Sequence, residues 1–258
     1  MMALFEFELK PVAEISPWGE APDLSLSWFA LTDGQFRINA GSSILFRYTD
    51  AILSYWEIAE KDADYQLAAF ARDILGCVAP AITPLPKFLH HIADDWIGLR
   101  RLQAQSAEHN AYYEAFRWLG ERSPWASYLT ASPQISFIRQ KDNILVGWDN
   151  TACLIEGIPV WEAQFGSFTL PVEAFLKECR SFRDRLLDEM YRRINMIEKG
   201  ETKAQIPLNT HDLYQQHDTW RDEFQGYFEI RNEPDVPWDE AESALDLILK
   251  AFPNTTAG

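Results

Sequence analysis

The chain has 258 residues, 47% of them hydrophobic and 24% charged. This is the balance of a globular protein and excludes disordered, collagen-like and low-complexity classes. Its 39 acidic and 23 basic residues leave a formal charge of -16, which argues against nucleic acid as a partner, since holding a phosphate backbone needs a basic footprint.

The longest weakly polar stretch, residues 74–82, is interrupted by Gly76 and Pro80 and falls short of the roughly 18 apolar residues that span a bilayer. No membrane partner is expected. Cys77, Cys153 and Cys179 are few and widely spaced, which suits a reducing compartment and a cytoplasmic location. Aromatic residues make up 14% of the chain, enough for an ample core.

In chain order, residues 1–10 alternate Phe5, Phe7 and Leu9 with Glu6 and Glu8, the period of a half-buried strand. Residues 24–31 are apolar and aromatic and are followed by Thr32-Asp33-Gly34, after which Phe36 and Ile38 alternate. Asp-Gly between two such runs predicts a hairpin, with Asp33 as a turn former. Residues 44–48 continue the meander.

Residues 65–78 carry Leu67, Phe70, Ala71, Ile74 and Leu75 at helical spacing, and Pro80, Pro84 and Pro86 punctuate the next stretch. Phe88, Leu89, Ile92, Trp96 and Leu99 then define a helical face. With Tyr112, Tyr113, Phe116 and Leu119 they form one long helix or two. A second β section holds two hairpins, turning at residues 140–143 and at Glu156-Gly157, and a further strand at 165–170. Pro171 opens a helix whose apolar stripe runs Phe175, Leu176, Cys179, Phe182, Leu186, Met190, Ile194 and Ile197, with Lys199-Gly200 as its stop.

Residues 209–249 hold eleven acidic and two basic residues with interleaved aromatics. A last helix starts near Asp239, and residues 254–258 read as a loose end. The expected fold is α+β: two antiparallel β meanders, each followed by helices, as one large domain or two tightly packed subdomains. The core is residues 1–200, with subdomains 1–120 and 124–200, and residues 201–258 are an acidic, aromatic-rich C-terminal segment.

FEFELKPV with the nearby PWG, LSWFALTDG, VGWDN, GIPVWEAQFG and LPVEAFLKECRSFRDRL resemble an uncharacterised bacterial family of unknown function, over much of residues 4–195. The resemblance implies a bacterial, cytosolic protein. It supplies no activity, so no catalytic residue is carried over.

Chemistry-bearing motifs are sparse. There is no phosphate loop, no dinucleotide fingerprint and no nucleophile elbow, and no cofactor is expected. His90 and Asp94, and His91 and Asp95, are each four apart, so each pair shares a helix face, but the two pairs point apart. They are weak catalytic candidates, and no metal is assigned to them without further ligands such as His109. His211-Asp212 and His217-Asp218 form two doublets, with the aspartates read as caps or turn starts. Lys177, Arg180, Arg183, Arg185, Arg192 and Arg193 read as a solvated face, as partners of Glu173, Asp184, Asp188 and Glu189, as a dock for the acidic segment, or as an anion patch.

The leading expectation is a non-catalytic protein-binding protein of the immunity or antitoxin kind, which neutralises a basic toxin by charge complementarity. Its partner-binding residues would be Asp218, Trp220, Asp222, Glu223 and Glu229, with Trp220 as a ring anchor. The alternatives are a metal-assisted hydrolase using His90, His91, Asp94 and Asp95, and a structural or regulatory protein. The sequence leaves the oligomeric state open.

Overall fold

The structure is a computed structural model that describes residues 3–229 and 236–253. The expected loose end at 254–258 lies outside the described residues. The fold is α+β with antiparallel sheets.

The first sheet is built on β2 (Asp33–Ala40). It pairs with β1 (Phe5–Leu9) on one edge, and with β3 (Ser43–Leu45) and β4 (Ala63–Gln66) along the other. The alternation in β1 and β2 sends Phe5, Phe36 and Ile38 into the core. Glu6 and Arg37 point to the other face, where Arg37 bonds both Glu6 and Asp62, and Arg47 bonds Asp62 at 2.8 Å. Burial alone would raise the Asp62 carboxyl, but the two guanidiniums outweigh it and hold it below the ordinary carboxylate range.

The expected hairpin at Asp33-Gly34 does not form. Residues 24–31 are not a strand; Ala30–Thr32 is a turn of 3-10 helix, and Asp33 and Gly34 already lie in β2. Gly34 is needed for close approach instead of turning, because a Cβ there would sit 2.3 Å from the Glu8 carbonyl oxygen. Thr32 is fully buried because its hydroxyl donates to the Phe29 carbonyl and accepts from the Ala68 N–H at 3.1 Å. It thereby caps α2 (Leu67–Gly76), whose own N-cap Gln66 offers no side-chain bond.

Tyr65, read as helical, belongs to β4. Pro80 lies in the short α3 (Val78–Ile82), and α1 (Asp50–Trp56) is capped by the Thr49 hydroxyl. The run expected as one or two helices is three: α4 (His90–Ala93), α5 (Trp96–Ser106) and α6 (Tyr112–Gly120).

The second sheet runs β5 (Ile135–Gln140), β6 (Asn143–Asp149), β9 (Phe165–Pro171). The small hairpin β7 (Leu154–Ile155) and β8 (Ile158–Pro159) precedes β9. It turns through Glu156 and Gly157, both at positive φ, as a type I′ turn requires. Helix α7 (Val172–Glu198) comes after Pro171, and Gly200 ends it at φ 69°.

One core joins both sheets under α7. Phe175 packs on Phe137 of β5, and Phe182 packs on Phe5 and Phe36 of the first sheet, with ring centroids 5.3–5.5 Å apart. Phe5 itself touches Phe137 at 6.5 Å, so residues from the two meanders meet directly. Each such ring contributes on the order of 1.5–3 kcal/mol by burial. Helix α8 (Thr210–Gly226) adds Leu213 and Phe224 to this core. A second core lies on the other side of β5 and β6. Ile138 and Leu145 meet Trp96, Leu99, Phe116 and Trp118, and α9 (Trp238–Ala251) closes it with Leu245 and Ile248.

No single helix among the described residues is long and apolar enough to cross a membrane. The apolar stretch Leu67–Ile82 is bent by 107° from the following Lys87–Ala93.

Candidate functional site

The four weak catalytic candidates do not converge. Helix α4 ends at Ala93, Asp94 is its C-cap, and Asp95 starts the next helix by accepting the Gly98 N–H at 2.9 Å. The single helix face assumed for His91 and Asp95 is therefore broken, because a short carboxylate competes for backbone N–H groups and favours a cap over a helix interior. His90 is tied to the Leu85 carbonyl at 3.0 Å, and His109 accepts the Ala111 N–H. No group of three or more His, Cys, Asp or Glu side chains is placed to hold a metal ion among the described residues.

The two His-Asp doublets also separate. Asn209 caps α8, accepting from the N–H groups of His211 and Asp212, both of which are exposed in the first turn. Asp218 is not a cap or turn start: it lies mid-helix, exposed, and pairs with Arg221 at 2.8 Å. His217 turns inward, where Trp28 Nε1 donates to its Nδ1 at 3.1 Å.

All three thiols are free. Burial pushes each of them above the ordinary range, including half-buried Cys153, the reverse of what an activated nucleophile needs.

The five residues expected to face a partner divide into two sets. Asp218, Asp222 and Glu229 are exposed. Trp220 is turned inward, stacked on Trp28 at 5.2 Å and on Phe29 at 6.1 Å, with the Arg72 guanidinium 4.7 Å from its ring centroid. Glu223 is spent on Arg72 at 2.9 Å and accepts the Tyr227 hydroxyl. These two hold α8 on the body of the protein. Helix α9, which packs in the second core, carries further exposed carboxylates, Asp239, Glu240, Glu242 and Asp246, with Leu247 beside them.

The basic residues go the other way. Arg193, read as part of a surface cluster, is 6% exposed and donates to the carbonyls of Leu31 and Lys10 at 2.6 and 2.7 Å. Arg185 donates to the Phe5 carbonyl, Arg122 to the Trp118 carbonyl and Arg139 to the carbonyls of Ile82 and Lys141. Arg183 binds Asp184 and, across to α8, the Gln225 amide oxygen. Arg192 pairs with Glu189. Lys177 and Arg180 stay exposed, with the Arg180 guanidinium over the Phe228 ring, and the rest of the basic stripe of α7 is distributed over the core, its own carboxylates and α8. The sequence signal for Arg193 was its place three residues beyond Met190 on the apolar stripe.

The result is a charge separation in depth. Several guanidiniums are committed to main-chain carbonyls, while the carboxylates of α8 and α9 project outward. No curated protein and no solved structure matches the chain. Residues 4–244, which take in both sheets, α8 and half of α9, match the family model DUF5984, a family of unknown function, and the chain belongs to that family.

Proposed function

We propose that this is a non-catalytic protein-binding protein of the immunity or antitoxin kind, acting in a bacterial cytoplasm, whose acidic helical surface receives a basic protein toxin. One observation carries the reading. Arg122, Arg139, Arg185 and Arg193 bond carbonyls of the fold, and among the described residues the exposed Asp218 and Asp222 of α8 pair only with Arg221, while Asp239, Glu240, Glu242 and Asp246 of α9 form no ion pair. Such a field steers a basic partner and rejects acidic ones. Leu247, exposed beside Asp246, supplies an apolar contact within the polar rim.

The anchor role read for Trp220 passes to the exposed residues, since its ring is already stacked within the fold. The experiment is co-expression with the product of the adjacent gene. The reading expects that product to be basic and growth-inhibiting, and growth to return when this chain is present. It also expects rescue to fail when Asp218, Asp222, Glu240 and Glu242 are changed to Asn or Gln. A neighbour without toxicity, or rescue undiminished by the four changes, contradicts it.

A further inference from the structure

Residues of α5, α6 and β5 line an open cleft of about 420 Å³, within the range of roughly 300–1,000 Å³ that small-molecule sites occupy. Tyr112, Tyr113 and Phe116 form an aromatic wall, and the Tyr112 and Phe116 rings lie 5.1 Å apart. Tyr113 is 67% exposed.

The polar lining has an unbalanced hydrogen-bond inventory. Arg100 is neutralised, with its Nε donating to Asp149 at 3.2 Å and its Nη1 to the Gln103 amide oxygen at 2.7 Å. Gln103 is nine-tenths buried. Its oxygen is used, and its amide nitrogen has no partner among the described residues. Arg117 forms no ion pair among the described residues, and its buried Nε has no acceptor. Glu121 lines the same cleft, one turn on from Arg117, without pairing to it. Ser123 donates to the Leu119 carbonyl, so the 2.8 Å contact between Ser123 and Ser136 takes its proton from Ser136.

The lining thus holds one guanidinium without an ion pair, its buried Nε lacking an acceptor, with the Gln103 amide nitrogen in the same cleft. An unsatisfied buried donor costs about 1–3 kcal/mol, and a planar two-oxygen anion matches a guanidinium with an amide beside it. The presence of Glu121 favours a monoanion over a phosphate dianion. We propose that this cleft binds a small organic carboxylate with an aromatic body, its carboxylate on Arg117 and Gln103 and its ring against Tyr112, Tyr113 and Phe116.

The test is calorimetric titration of the full chain with 3-phenylpropionate, L-phenylalanine, the neutral 3-phenylpropanamide and inorganic phosphate. Saturable binding of one or both carboxylates is expected, with the amide at least roughly tenfold weaker, the loss that one charged contact carries. Tighter binding of the amino acid than of the plain acid would place its ammonium on Glu121, and the converse would assign the site to free acids. Arg117→Gln should weaken the carboxylate about tenfold or more, and Tyr113→Ala, at an exposed position, should weaken it with the thermal midpoint unchanged. The proposal is overturned by equal binding of acid and amide, by phosphate binding more tightly than either carboxylate, by full affinity in a folded Arg117→Gln variant, or by no saturable binding up to about 10 mM.

Discussion

Trp28 Nε1 donates to His217 Nδ1 at 3.1 Å, joining the segment before β2 to α8. The Trp28 backbone N–H reinforces the joint by donating to the Gln216 amide oxygen at 2.8 Å. Because Nδ1 accepts, the imidazole is neutral, with its proton on Nε2. Burial lowers its pKa below 6.5, which sets the sign of the pH effect. Above about pH 6.5 the ring is neutral folded and unfolded; below it the unfolded chain takes up a proton first, so stability falls as pH drops toward the lowered folded value. The stability difference between wild type and His217→Gln should therefore be largest at about pH 8 and shrink toward pH 5. Urea midpoints across that range check this, and a pH-independent difference would contradict it.

Asp73 behaves in the opposite sense. Burial raises its carboxyl to about 6 against the opposing pull of Tyr128 and Arg72, and its Oδ2 has no hydrogen-bond partner among the described residues. The folded state holds this proton more tightly than the unfolded chain, so stability is lost as pH rises through about 6. Asp73→Asn should raise the urea midpoint at about pH 8, and the gain should disappear below about pH 4.

Arg193 bridges the Leu31 and Lys10 carbonyls and so ties α7 to the turn before β2. Lysine offers a point charge in place of a planar fork and cannot span both acceptors equally. Arg193→Lys should cost about 1–3 kcal/mol, the penalty for one unsatisfied buried carbonyl, and Arg193→Met more. Equal stability of all three proteins by denaturant unfolding would show that the bridge contributes nothing.

Trp96 lies on Gly147, where an added Cβ would come within 2.7 Å of the indole. Gly147→Ala should cost about 1–3 kcal/mol through overpacking. Trp96→Ala and Phe182→Ala should each cost about 3–5 kcal/mol, since both rings are buried. Differential denaturation of the three variants checks the order.

Legibility tracked the dominance of local physics. Strand β1, the β5–β6 hairpin, the Glu156-Gly157 turn and helix α7 are specified by alternation, turn chemistry and a continuous stripe, and they stand where their residues put them. Residues 24–31 share the composition of a strand. However, Trp28 is drawn into a stack with Trp220 and a bond to His217 from a helix about 190 residues away, and no local pattern carries that. The break between α4 and α5 was missed because the apolar face continues through it while Asp95 caps. At the candidate site, the exposure of Asp218 and Asp222 is legible in the polar face of α8. The inward turn of Trp220 and Glu223 depended on Arg72, and the inward turn of the arginines depended on carbonyls at Phe5, Leu31 and Ile82. Arg193 alone carries a local mark, its place on the apolar stripe of α7; the acceptors of Arg139 and Arg185 leave none in the neighbouring sequence.

The most direct test of the acidic docking face is the association rate with the basic neighbour-encoded protein, measured by stopped flow at low and high salt. Charge attraction is screened beyond about 8 Å at physiological ionic strength, so the rate should fall steeply as salt rises while dissociation changes little. The Asp218→Asn, Asp222→Asn, Glu240→Gln, Glu242→Gln variant should associate slowly at both salts. A rate independent of salt, and equal in wild type and variant, would contradict the account.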